Sequence, residues 1–414
     1  RTILLFSGNL LPEVDERVHL LFRQPDVTMG SSFNRVPEEL ELARRPRDRP
    51  ALDHQRGQDL QSFFSGPGGD VHALEQALVE IRRRHEVLRT VFPADDGRPR
   101  QRVRSRAGLR LGRVDLRRLQ PTERQRERDR LSHRHGARPF DLAAGPLLRA
   151  DVAMEGEGRQ VLMIALHHIV SDGWSIGVLV REAAALYGAF QRGAPSPLPG
   201  LAVQYVDHAA WQRRRLAGDT LRGLIDSWRR RLAGAPPVLQ LPTDRPRPAV
   251  RSQAGSRRAV ELPAAELAPL RRLARERGVP LFVALAATWF VLLHRWSGQR
   301  DLTLGIPEAG RRRLEAEPLI GFFVNTLVLR TQVEGRDSGA ALLDRLREVH
   351  SEALAAAELP FEKLVEGLET ERSLSWTPLF QVMLALQNAP FEELTLPGLE
   401  LTLLDVDPGI AKFD

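Results

Sequence analysis

The sequence predicts an α/β fold arranged in two lobes. At 414 residues, the chain is longer than a single hydrophobic core usually serves. Helical and extended patterns alternate along both halves, which is typical of layered α/β proteins. The stretch RGAPSPLPG at 192–200 breaks every periodicity with three prolines and two glycines. We therefore place one lobe at 1–195 and the other at 196–414.

The first half carries an amphipathic helix and a buried strand. Apolar residues from Val71 to Leu88 recur at steps of three and four, and Asp70 is a candidate for the helix cap. The Asp-Gly pair at 96–97 predicts a hairpin turn. The run VLMIAL at 161–166 is short and continuously apolar, as expected for a strand that is buried on both faces.

The buried strand leads into ALHHIVSDGWS at 165–175, after which the period becomes helical. Apolar residues from Ile176 to Phe190 lie on one helical face, with Ser175 available as the cap. The stretch is therefore a strand-loop-helix junction. Loops at the carboxyl ends of strands are where α/β sheets tend to place their sites.

The second half predicts helices, a proline-rich connector and buried strands. No helix can cross 236–248 intact because of its prolines. The longest apolar run, 281–293, is shorter than the roughly 20 residues of a membrane-spanning helix, so it predicts a buried helix. Helices are predicted at VQYVDHAAWQRRRLAG, LIDSWRRRLAG, LAPLRRLARERG, LFVALAATWFVLLHRW and GAALLDRLREVHSEALAAAE, and strands at DLTLGIPEAG, GFFVNTLVLRTQV and PLFQVMLALQN.

Composition excludes several classes of function. The net charge of +7 raises the idea of a nucleic-acid partner. The arginine-rich region 97–140 also contains acidic residues and has no aromatic side chain before Phe140, so we expect no nucleic-acid partner. The absence of cysteine excludes disulfides, thiolate metal sites and cysteine nucleophiles. The chain starts without methionine or a signal peptide, as expected for a segment of a longer protein.

His167 and His168 stand side by side at the end of the apolar run. Metal ligands favour helical spacing such as H-E-x-x-H, or further His and carboxylate partners, so we expect no metal here. Adjacent residues of an extended segment point to opposite sides of the chain. One ring should therefore pack in the core and leave the other for a cavity.

The same loop has the groups that an acyl-transfer site needs. An imidazole can move a proton near neutral pH, Asp172 can fix the loop, and an exposed backbone N–H beside Gly173 can meet a developing oxyanion. No G-x-S-x-G nucleophile elbow occurs nearby. The pattern therefore favours direct transfer between two bound substrates over an acyl-enzyme.

Several stretches together resemble one protein family. HHIVSDG at 167–173 looks like the H-H-x-x-x-D-G signature of nonribosomal peptide synthetase condensation domains, within the chloramphenicol acetyltransferase-like superfamily. The matches run in the family's order from about residue 60 to the end. The other matching stretches are RHEVLRT, PFDLAAGPLLRA, YVDHAAW, LPTDRPRP, IGFFVNTLVLR and LPFEKLVEGL.

The resemblance implies two chloramphenicol acetyltransferase-like lobes in a V-shaped pseudo-dimer with a tunnel between them. Upstream and downstream peptidyl carrier proteins would bring an acyl or peptidyl thioester and an aminoacyl thioester on phosphopantetheine arms, for joining through an amide bond. It further implies that the domain itself binds no cofactor. The domain would be a cytoplasmic, monomeric segment of a multidomain synthetase, beside an adenylation domain and without a membrane.

The family match also suggests a role for each residue of the loop. His168 would orient the acceptor amine and take its proton, and Gly173 would let substrate approach the backbone. His167 would be buried and hydrogen-bonded. Asp172 would anchor the loop by pairing with an arginine, for which Arg311 in PEAGR is the candidate, rather than act in a triad.

Three further residues are candidates for lining the tunnel: Trp174, Ser175 and Asn325. Core packing for Trp174 and strand-end capping for Asn325 remain equally good interpretations. The sequence also departs from the family. Residues 1–55 match none of its patterns, AAE replaces the usual H-Q-D before LPFE, and Trp376 stands where an arginine is usual. The chain stops before the family's last strand and helix, which predicts a truncated second lobe.

Two other functions stay open. An epimerization domain shares the two histidines, although the order DGWS favours condensation. A non-catalytic docking or recruitment domain for carrier proteins is the alternative from another class. A heterocyclising relative would carry D-x-x-x-x-D in place of the histidines and is excluded. The stretches around the histidines look more like the subtype that joins L-configured donors to L acceptors.

Overall fold

The structure, a computed structural model, describes residues 70–387 with gaps at 96, 106–107, 157–158, 253, 257 and 370–372. Outside that span it describes only the backbone of five short strands. The rest of 1–55 and residues 404–414 lie outside the described residues, as does the predicted truncation of the second lobe.

The helices of the described residues are α1 Val71–Arg84, α2 Pro121–Ala137, α3 Gly173–Gln191, α4 Tyr205–Arg215, α5 Gly218–Leu232, α6 Ala264–Glu276, α7 Leu281–Ser297, α8 Gly339–Ala355 and α9 Phe361–Gly367. The strands are β1 Leu4–Gly8, β2 Arg17–Leu21, β3 Gln58–Leu60, β4 Ser62–Phe64, β5 Thr90–Val91, β6 Ala94–Asp95, β7 Arg98–Pro99, β8 Arg102–Val103, β9 Gly112–Asp115, β10 Leu148–Gly156, β11 Arg159–Leu166, β12 Glu261–Leu262, β13 Asp301–Glu308, β14 Asn325–Gln332, β15 Leu386–Gln387 and β16 Leu401–Leu403. The mixed α/β content predicted from the sequence is present.

The first half is built on the antiparallel hairpin of β10 and β11, which lies in a sheet of order β3-β11-β10-β9. Residues 161–166 of β11 are buried throughout, as their continuous apolar run predicts. Helices α1 and α3 contact each other, and Asp70 caps α1 as predicted. The core shared by these elements includes Leu78, Ile81, Leu148, Leu162, Leu166, Leu179 and Leu186.

The predicted first helix ends earlier than expected, because α1 stops at Arg84 and residues up to Leu88 belong to a separate short 3-10 turn. The backbone at His85 is extended. Its ring contacts the Glu182 carboxylate through Nε2 at 2.9 Å and accepts the Ile320 N–H through Nδ1 at 3.2 Å. The break in the helix places this ring between two distant segments.

The second half is built on the antiparallel hairpin of β13 and β14, which α7 and α8 contact. The predicted buried helix is α7, in which Val283, Phe290 and Leu293 are at most 1% exposed. Within the described residues, no single helix is long and apolar enough to cross a membrane. The bent pair of α6 and α7, at 115°, passes that test on length and composition alone.

Of the predicted strand PLFQVMLALQN, only β15 is regular, and Leu379 has a positive φ of 70°. Before that, the segment runs beside β13, where the Gly305 N–H donates to the Val382 carbonyl and the Gly305 carbonyl accepts from Leu384, both at 2.9 Å. A Cβ at Gly305 would overlap the Phe380 ring, so the absence of a side chain permits this close approach.

The strand predicted from Gly321 onward begins only at Asn325. The backbone N–H groups that precede β14 donate to side chains at the start of α3 instead of to a neighbouring strand. Strand pairing therefore starts where those contacts end.

The two largest cores follow the two halves of the chain, with one exception. The buried residues of the first run up to Tyr187 and include Ile320, and those of the second run from Trp228 onward. The described residues form no helix or strand between α3 and α4. The lobe boundary at 192–200 and the V-shaped arrangement stay predictions.

Candidate active site

The histidine pair lies between the end of β11 and the start of α3. The His167 N–H extends the sheet ladder by donating to the Leu147 carbonyl at 3.0 Å. His168 to Val170 form one turn of 3-10 helix, and α3 begins three residues later at Gly173. The predicted strand-loop-helix junction is present, with a short turn inside the loop.

His167 is a buried, neutral side chain with 5% of its surface exposed. Its Nδ1 accepts the Ile169 N–H at 3.0 Å, which requires that this nitrogen carry no proton. The edge of the Phe140 ring packs against the imidazole at 5.7 Å between centroids. Burial, followed by the nearby Arg149 cation, lowers the pKa of His167 to about 4.

His168 has the opposite arrangement at the same nitrogen. Its Nδ1 lies 2.6 Å from the Ser171 carbonyl oxygen. A carbonyl can only accept, so Nδ1 carries the proton and Nε2 is the basic nitrogen of the ring. The Phe322 ring packs nearly at right angles to the imidazole, with 4.9 Å between centroids. The His168 ring is half-buried, and a backbone carbonyl fixes its tautomer.

Asp172 is the residue that caps α3. Its Oδ1 accepts the Ser175 N–H at 2.9 Å and lies 2.7 Å from the Ser175 hydroxyl. The prediction that Ser175 caps this helix is therefore wrong, because Ser175 lies inside the first turn. Its hydroxyl instead contacts the segment that precedes β14, where it accepts the Gly321 N–H at 3.0 Å.

Arg311 forms a two-pronged ion pair with Asp172. Its Nη1 lies 2.8 Å from Oδ2 and its Nη2 lies 3.1 Å from Oδ1. Both side chains are only 2% exposed. The guanidinium also donates to the Leu319 carbonyl at 3.2 Å and stacks on the Phe323 ring at 4.2 Å. The pair is therefore a buried joint between the loop and the segment before β14.

The backbone of the segment before β14 donates two further hydrogen bonds to Asp172. Its Oδ2 accepts the N–H groups of Phe323 at 2.9 Å and Val324 at 3.2 Å. Both carboxylate oxygens are thus committed to donors other than the His168 imidazole. This geometry is that of an anchor, and it differs from a triad, in which the carboxylate would orient the ring.

Gly173 and Trp174 start α3 on the exposed side of the joint. A Cβ at Gly173 would meet no atom within 4 Å, so the backbone there is open to approach. The first N–H groups of a helix lack intrahelical acceptors and carry the positive end of its dipole. Trp174 is 40% exposed and donates Nε1–H to the Glu317 carbonyl at 3.0 Å. It is not a core residue.

Asn325 is occupied by backbone groups. Its Nδ2 donates to the carbonyls of Ala357 at 3.0 Å and Leu359 at 2.8 Å. Its Oδ1 accepts the N–H groups of Thr326 at 2.8 Å and Phe361 at 3.0 Å. These contacts account for its polar atoms and are those of a strand-end cap.

A second polar cluster supports the joint from the side of α1. Arg84 and His85 both contact Glu182 of α3, at 3.0 and 2.9 Å. Burial alone would raise the pKa of Glu182, but the hydrogen bonds from His85 and Arg84 outweigh it and hold the pKa below its ordinary value. Among the residues that the structure describes, no three His, Asp or Glu side chains group as metal ligands.

Comparison with known families decides what this loop belongs to. The family model described as "Condensation domain" matches residues 60–411. The chain belongs to the condensation-domain family. The match includes the histidine loop, the Arg311 stretch and the segment before β14.

The relatives of this condensation domain belong to peptide synthetases. The chain is 46% identical over 347 residues to one of the linear gramicidin synthase proteins of Brevibacillus parabrevis, and the match covers 83% of the chain and 4% of the relative. It is also 46% identical over 316 residues to phosphinothricin tripeptide synthetase PhsC of Streptomyces viridochromogenes, where the match covers 76% of the chain and 29% of the relative. The chain therefore spans a small part of these synthetases.

Solved structures share the fold of this condensation domain. The X-domain from teicoplanin biosynthesis has a TM-score of 0.78 at 30% identity, with 88% of this chain and 81% of that chain covered. A four-domain nonribosomal peptide synthetase bound to AMP and glycine has a TM-score of 0.75 at 23% identity, with 85% and 27% covered. This likeness confirms the predicted α/β fold as that of condensation domains and X-domains.

Sequence reasoning missed two residues of the condensation domain's site. Phe322 packs on His168, and Tyr205 of α4 donates its hydroxyl to the Phe322 carbonyl at 2.8 Å. Burial raises the pKa of Tyr205, which keeps the hydroxyl protonated and able to donate. Both residues lie in matched family stretches, YVDHAAW and IGFFVNTLVLR, and that match was the available signal.

Proposed function

We propose that this domain forms an amide bond between two substrates held as thioesters. The donor is an acyl or peptidyl thioester and the acceptor is the amine of an aminoacyl thioester, each on the phosphopantetheine arm of a carrier protein. The observation that supports this reaction best is the fixed tautomer of His168. The Ser171 carbonyl holds the proton at Nδ1, so a basic nitrogen stands at the end of the buried strand.

The chemistry needs one proton acceptor that later becomes a donor. The amine nitrogen attacks the thioester carbon and forms a zwitterionic tetrahedral intermediate. An α-amine with a pKa of about 8 is partly neutral already, so His168 is not needed to activate it fully. His168 Nε2 takes the ammonium proton as the intermediate collapses, and the departing thiolate receives that proton. Such acid-base help contributes about 10² to 10⁴ in rate.

The developing negative oxygen would be met by the start of α3. The N–H groups of Gly173 and Trp174 are at the positive end of the helix, and Gly173 leaves the backbone open. Asp172 and Arg311 set the position of that helix start without touching the reaction. Trp174 would then lie beside the substrate path, and Ser175, which is 1% exposed, would hold the joint behind it.

The partners follow from this chemistry. Upstream and downstream carrier proteins would supply the two thioesters, and an adenylation domain would be a neighbour in a multidomain synthetase. The two lobes, 1–195 and 196–414, would form a V with the substrate tunnel between them. The domain itself would bind no cofactor, and it would work in the cytoplasm as one segment of the larger chain.

The direct test is a condensation assay with purified protein. The chain is mixed with one carrier loaded with an acyl donor and another loaded with an aminoacyl acceptor, and the joined product is sought by mass spectrometry. We expect His168→Ala to lose most product while keeping a cooperative melt. His167→Ala should chiefly lower the melting temperature, because it removes a buried ring and the acceptor of the Ile169 N–H, and it should reduce turnover less than His168→Ala does.

Two results would contradict this assignment. A well-folded His168→Ala protein with turnover near wild type would remove His168 from the chemistry. Absence of product with wild type, across several donor and acceptor pairs, would favour a recruitment function. That second candidate is supported by the 30% identity to an X-domain that has been solved in complex with OxyB from teicoplanin biosynthesis.

A further inference from the structure

Arg149 lies on β10 opposite Ala165 of β11, two residues before His167. Its guanidinium donates to backbone carbonyls at and just beyond the end of α2. Nη1 donates to Pro139 at 3.0 Å, and Nη2 donates to Arg138 at 2.6 Å and to His135 at 3.3 Å. A cation at the carboxyl end of a helix is stabilised by the unpaired carbonyls there.

The same guanidinium lies over an aromatic ring that touches His167. The Arg149 carbon Cζ is 3.7 Å from the centroid of the Phe140 ring. Phe140 is 4% exposed, and its ring meets the His167 imidazole nearly at right angles, 86°, at 5.7 Å. Phe140 therefore contacts both the arginine and the imidazole.

His167 in turn holds the turn that carries His168. Its Nδ1 accepts the Ile169 N–H, and Ile169 is the next residue after His168. Only the neutral imidazole can make this hydrogen bond, because a protonated ring has no acceptor. Loss of the neutral form or a shift of the ring would remove this hydrogen bond from the 3-10 turn in which His168 lies.

We propose that Arg149 is a positioning residue for His168, acting through Phe140 and His167. The guanidinium fixes the Phe140 ring, and its charge opposes protonation of His167. The part of this inference that concerns turnover rests on the proposed function, since it takes His168 as the proton acceptor. The part that concerns the state of His167 does not.

The charges around His167 set the sign of the effect. Arg149 on β10 is the charged side chain that lowers the pKa of His167, after burial itself. Other ionisable groups on the adjoining segments are His135 at the end of α2, which contacts the Asp151 carboxylate, Asp141 in the turn after Phe140, and His168. Removing the Arg149 charge should therefore raise the pKa of His167. The ring would then protonate, and the turn would loosen, at a higher pH than in the wild type.

The test compares Arg149→Met with Arg149→Lys in the full chain. Methionine keeps much of the length but removes the charge and the planar stack, whereas lysine keeps the charge alone. Arg134→Met is the matched control, because Arg134 is an exposed arginine of α2. The His167 ring is followed by NMR titration of isotope-labelled histidine, and exchange of the Ile169 amide reports on the turn.

We expect the pKa of His167 to rise by about one unit in Arg149→Met, the size of effect that one nearby charge produces. Arg149→Lys should stay close to wild type in that titration, and Arg134→Met should match it. The Ile169 amide should exchange faster in Arg149→Met. In the condensation assay, kcat should fall by about tenfold to a hundredfold with KM little changed, and the acid limb of the pH profile should move upward.

A purely structural arginine would give a different pattern. A lowered melting temperature with an unchanged His167 titration and an unchanged pH profile would overturn the proposal. If Arg149→Met fails to fold, Phe140→Leu carries the test. Normal protection of the Ile169 amide in Phe140→Leu would equally overturn the proposal. If wild type makes no product, the titration and exchange data alone decide the role of Arg149.

Discussion

His167 and His168 differ through the hydrogen bond at Nδ1. In His167 this nitrogen accepts the Ile169 N–H, and in His168 it donates to the Ser171 carbonyl. The two rings therefore hold opposite tautomers. Strand alternation in the sequence predicted that the rings would separate, with one of them buried. It could not predict the tautomers, because the turn that positions Ile169 and Ser171 has no periodic pattern.

Asp172 is the residue whose substitution separates an anchor from a triad member. Asp172→Asn keeps the shape but leaves the buried Arg311 cation without its partner, so the melting temperature should fall markedly. Breaking a buried pair costs roughly 3 to 5 kcal/mol. Asp70→Asn is the matched control, because Asp70 caps α1 and asparagine caps a helix equally well. Thermal denaturation followed by circular dichroism measures both.

A double-mutant cycle then identifies the partner of Asp172. The variant that combines Asp172→Asn with Arg311→Ala should be less destabilised than the sum of the two single variants. Strict additivity would show that Arg311 is not the partner. An unchanged melting temperature for Asp172→Asn, together with reduced turnover, would return Asp172 to the role of orienting the imidazole.

At the scale of elements, the starts of α3 and β14 meet at the site, and both are determined by contacts between residues that are far apart in the sequence. The sequence predicted α3 and β14, because their apolar periods are local. It misplaced their starts, since α3 is capped by an aspartate that also accepts N–H groups from the segment before β14. Such a cap depends on the intervening fold, because Asp172 and Phe323 are separated by 151 residues.

Asn325 gives a prediction about how β14 meets α9. Asn325→Asp keeps the acceptor for Phe361 but turns the donor to Ala357 and Leu359 into a second acceptor, so it should destabilise at least as much as Asn325→Ala. Each unpaired buried polar group costs about 1 to 3 kcal/mol. Urea unfolding curves measure the difference. Asn325→Ala with wild-type stability but altered donor or acceptor preference would instead favour the tunnel-lining interpretation.

On the scale of the whole molecule, a side chain from the second half belongs to the first core. Ile320 is 1% exposed and packs there, although it lies more than 100 residues beyond the predicted boundary at 192–200. The order of elements and the stretch without regular structure could be predicted from composition and period. The packing of Ile320 in the first core could not be predicted, because an isoleucine that precedes a strand pattern has the same sequence signal whichever core it joins.

Ile320→Ala should weaken the coupling between the two largest cores as well as the first core. Truncating a buried isoleucine costs about 2 to 5 kcal/mol. Leu304→Ala is the control, because Leu304 is also fully buried but lies wholly within the second core. In calorimetry we expect one transition for wild type and for Leu304→Ala, and a broadened or split transition for Ile320→Ala. A single sharp transition in Ile320→Ala would show that other contacts couple the halves.

The position of Ile320 bears on how condensation domains can be recombined. A chimera joined at 192–200 would take its first half from one parent. Ile320, and the segment before β14 that Asp172 and Ser175 contact, would come from the other parent. The first core and the isoleucine that packs in it would then come from different parents. Transplanting residues 319–324 together with the first half would restore the matched set. Hybrid synthetases built by exchanging halves should therefore tolerate distant parents better when this short segment travels with the histidine loop.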